Sequence, residues 1–150
     1  MAQNAEPVCQ TCEPSDAGYP SPLPVNLDRI TTRKKDAAGR GCSGFNPLGQ
    51  HDVELFQAVM DGEHCLRGFT NRDIRTKLQS TQHLRFCGQD RKKASSKVSR
   101  IFRRFHAHGS IAKLPRTRRW RVTLYGRRVM GTALYLREHD FARAYTKMAA

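Results

Sequence analysis

The sequence predicts a mostly α-helical fold with one small β-hairpin. Apolar residues recur at helical spacing in four segments between residues 50 and 138, and they alternate between residues 111 and 122. Most of the prolines lie outside both regions. The length of 150 residues and the mass of 17.1 kDa fit one domain with a tail.

Residues 1–45 are predicted to be a disordered tail. Five of the seven prolines fall within residues 7–24, and several glycines follow the basic run Arg33-Lys34-Lys35. The apolar residues of this segment are isolated, so it is expected to bury too little surface to offset the entropy lost on ordering. The folded domain is therefore predicted to span residues 46–140, with residues 141–150 as a frayed C-terminus.

The first two helices are predicted at about residues 50–61 and 71–79. In the first, apolar residues from Val53 to Met60 have helical spacing. The second begins at Thr70, whose side chain can cap the helix, and Asp73 three residues later completes a short form of the capping box.

The third helix, residues 90–108, has the clearest pattern. One stripe is apolar and the opposite side is polar and cationic. Gly109 follows as the expected left-handed end of the helix. The stripe consists of Ala94, Val98, Ile101, Phe102 and Phe105.

The period then changes from helical to alternating. Residues 111–114 and 119–123 are predicted to form two strands joined by a turn at residues 115–118. Because a two-stranded hairpin is marginal by itself, its apolar face is expected to rest on the helices. Thr123 is expected to cap a fourth helix, residues 124–138.

The charge is distributed unevenly along the chain. The net charge is +14, and residues 91–137 contain 15 Lys and Arg but no Asp or Glu. A solvated protein surface normally mixes both signs. Such a stretch indicates a polyanionic partner, and nucleic acid is the most common one.

Two segments resemble the winged helix-turn-helix domains of MarR-like and ArsR-like regulators. Residues 104–115 are similar to the end of a recognition helix that turns into the first wing strand. Residues 119–128 resemble the second wing strand and the Thr-x-x-Gly-Arg helix start that follows it. The resemblance implies a three-helix domain with a basic two-stranded wing, a C-terminal helix and double-stranded DNA as the partner, as in a transcriptional regulator or the DNA-reading part of a larger protein.

A second resemblance concerns Asn46-Pro47-Leu48 and residues 68–75. These segments resemble the C-terminal part of longer uncharacterised bacterial proteins, so the chain is expected to be a piece or a short relative of a larger protein. That family implies no activity.

The predicted DNA site consists of outward-facing side chains of the third helix together with cations of the second helix and the hairpin. Arginine presents a planar donor fork that matches guanine O6 and N7, and small hydroxyl side chains also contact base edges. Lysine and the hairpin arginines are expected to neutralise phosphates. The base-reading candidates are Ser96, Ser99, Arg100 and Arg103. The phosphate-contacting candidates are Arg72, Arg75, Lys92, Lys93, Lys97, Arg116, Arg118 and Arg119.

Three other binding functions compete with duplex DNA as an explanation of the charge. An RNA- or ribosome-associated role stays an alternative, although readers of single strands usually expose several aromatic rings, and here Phe56, Phe102 and Phe105 have core spacing. A winged-helix adaptor for protein partners is a second alternative, and a homodimer through the C-terminal helix is left open. A membrane-spanning segment is excluded because no stretch approaches the ~20 apolar residues that it needs. Association with a membrane surface is disfavoured because the apolar face of the third helix is needed by the hairpin and by the first and fourth helices.

Metal binding and catalysis find little support in the sequence. Cys9-x-x-Cys12 is half of a zinc motif with no second half at a suitable distance. His106 and His108 are two apart on a helix, so they are predicted to point in different directions. We therefore expect a non-enzyme without cofactor or metal. The odd number of cysteines and the absence of a secretory start predict a cytoplasmic protein. The predicted DNA partner implies that it is associated with the nucleoid.

Overall fold

The structure, a computed structural model, describes residues 24–80 and 90–141. Residues 1–23, the Cys9-x-x-Cys12 pair, Cys87 and residues 142–150 lie outside the described residues. Within the described part of the chain, the α-helices are α1 (Pro24–Thr31), α2 (Gln50–Met60), α3 (His64–Arg67), α4 (Asn71–Gln79), α5 (Arg91–Ala107) and α6 (Leu124–Tyr135). The strands are β1 (Lys34–Lys35), β2 (Gly41–Cys42), β3 (Ile111–Lys113) and β4 (Trp120–Val122).

The prediction of a mostly helical fold with a small hairpin is confirmed. The predicted helices correspond to α2, α4, α5 and α6, and the predicted hairpin is the antiparallel pair β3–β4, in which Ile111 lies opposite Val122. The fourth helix is shorter than predicted, because α6 ends at Tyr135 and the π-helical segment Leu136–Phe141 follows.

Local sequence signals set the ends of these helices as expected. Thr70 and Asp73 form a capping box at the start of α4, and Thr123 accepts a hydrogen bond from the backbone N–H of Gly126 at the start of α6. Gly109 adopts the left-handed conformation after α5, with φ of 71°. Caps of this kind satisfy backbone donors and acceptors that the first and last turns leave without intrahelical partners.

An aromatic cluster lies at the centre of the core. Phe45, Phe56 and Phe105 approach one another with ring centroids 4.6 to 6.0 Å apart. α2 packs against α4 on one side and α6 on another, while α5 packs against α4, β2 and β3. The core is thus shared by helices that are far apart in sequence.

The predicted domain boundary at residue 46 is wrong for residues 24–45. Ile30 and Phe45 are fully buried, α1 packs against α6, and the second hairpin β1–β2 contacts α5. Gly44 passes so close to α1 that a Cβ atom there would lie 1.6 Å from the carbonyl oxygen of Thr31. Residues 24–45 are therefore part of the folded unit.

A short β-bridge extends the β3–β4 hairpin toward α4. Phe69 and Trp120 exchange two backbone hydrogen bonds of 2.8 Å each. The bridge fixes the segment immediately before α4 to the edge of β4. None of the described helices combines the length and apolar character needed to cross a membrane.

Candidate nucleic-acid interface

The orientation of α5 is set by its buried side. Asp90 caps the helix by accepting a hydrogen bond from the backbone N–H of Lys92 (3.3 Å). The buried residues of the helix are Ala94, Val98, Phe102 and Phe105. Because residues three and four apart share a face of a helix, the opposite face of α5 points to solvent.

The solvent side of the first half of α5 is cationic. Lys92, Lys93, Ser96, Lys97 and Arg100 are all exposed. Among the described residues, no carboxylate lies within ion-pairing distance of Lys92, Lys93 or Arg100. These three charges face solvent, where an anionic ligand can reach them.

Ser99 lies at the junction of α4 and α5. Its hydroxyl donates to the Ser95 carbonyl (3.0 Å) and accepts from the side-chain amide of Asn71 (3.1 Å). Asn71 also donates to the Ser95 carbonyl (3.0 Å). The Ser99 hydroxyl therefore already serves the contact between the helices, in contrast to Ser96.

Arg103 occupies a more enclosed position than Arg100. Its side chain is 38% exposed, and its Nε lies 3.6 Å from Oδ2 of Asp36 in the turn between β1 and β2. It also lines a cleft of about 250 Å³ together with Phe102, His106, Arg118 and Trp120. Arg103 thus sits where the two hairpins approach the last turns of α5.

The turn of the β3–β4 hairpin carries the three predicted arginines in exposed positions. Arg116 adopts φ of 57°, a left-handed conformation that closes the turn, and Arg118 follows it. Arg119 extends back toward α3 and donates weak hydrogen bonds of 3.4 Å to the carbonyls of Arg67 and Gly68. The tip of the hairpin is therefore cationic.

Trp120 anchors this hairpin to α5. Its ring makes edge contacts with Phe102 (5.7 Å between centroids) and His106 (5.5 Å). Through Trp120 the hairpin rests on α5, as expected for its apolar face. Edge-to-face pairs of this kind stabilise the contact beyond the area that they bury.

The predicted α4 arginines differ in exposure. Arg72 is exposed in the first turn, and Arg75 is half-buried one turn later. Asn71, at the start of the same turn, is bound to α5 as described above. Arg72 therefore directly follows the residue that joins α4 to α5.

The acidic residues near these elements are used within the fold. The Asp73 carboxylate accepts from the backbone and hydroxyl of Thr70, and Asp61 accepts from Lys77 (2.5 Å). Burial raises the pKa of Asp73, but these hydrogen bonds outweigh it and leave that pKa below its ordinary value. The hydrogen bond from Lys77 lowers the pKa of Asp61. Both carboxylates therefore stay charged near neutral pH. Asp73 is used in a helix cap and Asp61 in an ion pair, so neither neutralises the cations on the exposed face of α5.

Sequence reasoning missed the most highly connected side chain of this region, Arg104. It forms a bidentate pair with the buried Asp52, with both N–O distances 3.0 Å. It also donates to the carbonyls of Ser43 (3.1 Å) and Gly44, and its guanidinium lies 3.8 Å from the centre of the Phe45 ring. No local pattern in the sequence indicates this role, because all of these partners lie 52 or more positions away from Arg104.

The two histidines at the end of α5 point in different directions, as predicted. His106 is exposed beside Trp120, whereas His108 is buried and donates from Nε2 to the Ser43 carbonyl (3.1 Å). In the described ranges, no group of three His, Cys, Asp or Glu side chains has the arrangement of a metal site.

A larger cleft, of about 510 Å³, lies behind the β3–β4 hairpin between α2, α3 and the start of α6. It is lined by Asp61, His64, Cys65, Arg121 and Arg127, among others. Burial lowers the pKa of His64, so this imidazole is neutral near pH 7. Neither Phe102 nor Trp120 is among the residues that line this cleft.

The chain was also compared with known proteins. No protein-family model, curated protein or solved structure matches it. The functional argument therefore depends on the geometry and charge of the site.

Proposed function

We propose that the protein binds double-stranded DNA as a winged helix-turn-helix module. In this proposal α4 and α5 are the helix-turn-helix pair, α5 is the recognition helix, and the β3–β4 hairpin is the wing. The observation that carries it is the outward face of α5, where Lys92, Lys93, Ser96 and Arg100 are exposed in a stretch that has no acidic residue.

The geometry of B-DNA suits this face. The major groove is about 12 Å wide and admits one α-helix, whose N-terminal residues reach the base edges in helix-turn-helix proteins. The exposed cations of α5 lie in its first three turns, and Arg100 is the side chain best placed to donate both hydrogen bonds to a guanine. Arg116 and Arg118 would contact phosphates beside the groove.

Duplex DNA is favoured over single-stranded RNA by the position of the aromatic rings. Phe56, Phe102 and Phe105 are buried in the core, and Trp120 packs on α5. Readers of single strands stack bases on exposed aromatic rings. A duplex-binding protein of this type would act at the nucleoid, as a regulator or as the DNA-reading part of a larger protein.

The first test is the salt dependence of duplex binding by the whole chain. Contacts to about five to eight phosphates predict that log K falls against log[salt] with a slope of roughly −5 to −7. Titration of a labelled random duplex at several salt concentrations measures this slope. A slope shallower than about −2 would contradict an extended phosphate-binding surface.

The second test separates base reading from phosphate binding, after a preferred site has been selected from a random duplex library. Arg100→Ala should cost about 1–3 kcal/mol on that site and little on random duplex. Arg116→Ala and Arg118→Ala should weaken binding to both duplexes and each make the slope shallower by about one unit. Arg128→Ala, on the exposed side of α6, is the matched control. If Arg100→Ala binds as tightly as the wild-type chain and keeps its preference for the selected site, α5 does not read the bases through Arg100.

A further inference from the structure

The second hairpin, β1–β2, is a built structure and not an irregular loop. Lys34 pairs with Cys42 and Lys35 with Gly41 across the two strands. The Asp36 carboxylate closes the turn by accepting from the backbone N–H groups of Ala38 (3.0 Å) and Arg40 (2.8 Å) and from Nε of Arg40 (3.0 Å). The hairpin is thus stabilised by its own turn as well as by its strand pairs.

The two hairpins lie on different sides of α5. On one side β4 contacts the helix through Trp120, which faces Phe102 and His106. On the other side β2 and the residues after it are held by Arg104 and His108. Asp36 lies 3.6 Å from Arg103, so the turn of β1–β2 reaches the solvent side of α5, one turn of helix beyond Arg100.

The exposed surface of β1–β2 is cationic. Arg33, Lys35 and Arg40 are exposed and Lys34 is half-buried. Within residues 33–42 the one acidic side chain is Asp36, which is only 7% exposed and already contacts Arg40 and Arg103. The hairpin therefore presents positive charge to solvent beside the exposed face of α5, which is proposed to enter the DNA groove.

We propose that β1–β2 is a second phosphate-binding hairpin, which contacts the DNA backbone on the side of α5 opposite to β3–β4. The proposal rests on the proposed function, because it requires α5 to enter the major groove. A groove of about 12 Å is bordered by two phosphate backbones, and a helix flanked by two cationic hairpins can contact both. Arg33 and Lys35 are the phosphate contacts, and the Arg33 guanidinium lies against the backbone of Gly41.

The test is the double variant Arg33→Gln/Lys35→Gln in the full chain, with duplex binding measured across salt concentrations. Loss of two phosphate contacts should make the slope of log K against log[salt] shallower by about 1.8. Between about 50 and 200 mM salt, the variant should therefore lose about ten-fold less affinity than the wild-type chain. The matched control is Arg127→Gln/Arg128→Gln, which removes two exposed charges from α6 and should keep the wild-type slope.

Two further measurements distinguish the possible outcomes. The charge-preserving variant Arg33→Lys/Lys35→Arg should restore the wild-type slope, and failure to restore it would overturn the proposal. Hydroxyl-radical footprinting of the wild-type complex should show protected backbone on both sides of the contacted groove, and protection on one side alone would also overturn it. Duplex binding with an unchanged slope in Arg33→Gln/Lys35→Gln rejects the second hairpin only, whereas no duplex binding by the wild-type chain rejects the proposed function.

Discussion

The two hairpins beside α5 are held by different kinds of contact. The β3–β4 hairpin is fixed by apolar and aromatic packing, with Trp120 against Phe102 and with Ile111 buried in the core. The β1–β2 hairpin has strands of only two residues and is fixed mainly by polar contacts of the segment that follows it, from Arg104 and His108 to the Ser43 carbonyl. Apolar packing tolerates substitutions that conserve volume, whereas a guanidinium network requires each partner in place.

This difference predicts how each hairpin responds to change. Removing an apolar anchor leaves a cavity whose cost depends on its volume. Removing Arg104 leaves the buried carboxylate of Asp52 without its main partner and removes one hydrogen bond from each of the carbonyls of Ser43 and Gly44. Loss of an apolar anchor should destabilise the whole core. Loss of Arg104 should first loosen residues 43–46 and only then destabilise the rest of the fold.

The largest effect is expected for Phe102→Ala, which removes the support of β3–β4. Phe102 is 4% exposed and contacts both Trp120 and Phe69. The substitution should lower the free energy of unfolding by about 3–5 kcal/mol. Urea denaturation followed by circular dichroism and by the fluorescence of Trp120, the one tryptophan of the chain, measures it.

The matched control for this change is Phe45→Ala. Phe45 is equally buried but stacks on Phe105 (4.6 Å) beneath the β1–β2 side of the core. Its loss should cost a similar free energy while the emission of Trp120 in the native state stays unchanged. An equal shift of Trp120 emission in both variants would show that the two hairpins do not have separate anchors.

A smaller effect, about 3 kcal/mol, is expected for Arg104→Ala, because the substitution breaks a buried ion pair and leaves one charge behind. The side chains of Arg104 and Asp52 are 19% and 9% exposed. Hydrogen exchange should become faster at the amides of Phe45 and Asn46 before it does so in α5. Arg103→Ala is the control, since the pair of Arg103 with Asp36 is longer and more exposed and should contribute at most about 1 kcal/mol. Equal destabilisation by the two variants would contradict the anchoring role of Arg104.

The same contrast explains which elements could be predicted from the sequence. α4 was predicted at its observed bounds and α5 within one residue, because each has a capping residue and a continuous apolar stripe. α1 and β1–β2 were missed because Ile30 and Phe45 are isolated apolar residues in a Pro- and Gly-containing segment. Their burial depends on Phe56, Phe105 and α6, which no local period reveals.

The candidate site was predictable to the extent that exposure follows helical periodicity. The stripe of α5 correctly placed Ser96 and Arg100 on the solvent side. It could not show that Ser99 bonds to α4 or that Arg103 faces Asp36, because those partners come from other elements. In the sequence Lys34 and Lys35 show only as a basic run, since their place beside α5 depends on the tertiary contacts of Arg104.

The smallest expected effect is a change of folding stability with pH. Two buried histidines cause it, and only His108 lies under the β1–β2 side of the fold. Burial lowers the pKa of His108, with the charges of Lys34 and Arg104 acting in the same direction, and burial likewise lowers that of His64 beside Phe69. The unfolded chain, with histidine pKa values near 6.5, therefore binds more protons than the native state, so stability is fully present above about pH 6.5 and falls as the pH drops through the lowered native values. Urea midpoints should decrease between about pH 7.5 and about pH 5.5, a window in which carboxylates change little. His108→Gln should reduce this pH dependence of stability and should also remove the pH dependence of the protection factor of the Phe45 amide, which is the exchange rate corrected for intrinsic exchange at each pH. His64→Gln should reduce the first and leave the second unchanged. A pH dependence that is the same in His108→Gln as in the wild-type chain would show that His108 is not the titrating group under β1–β2.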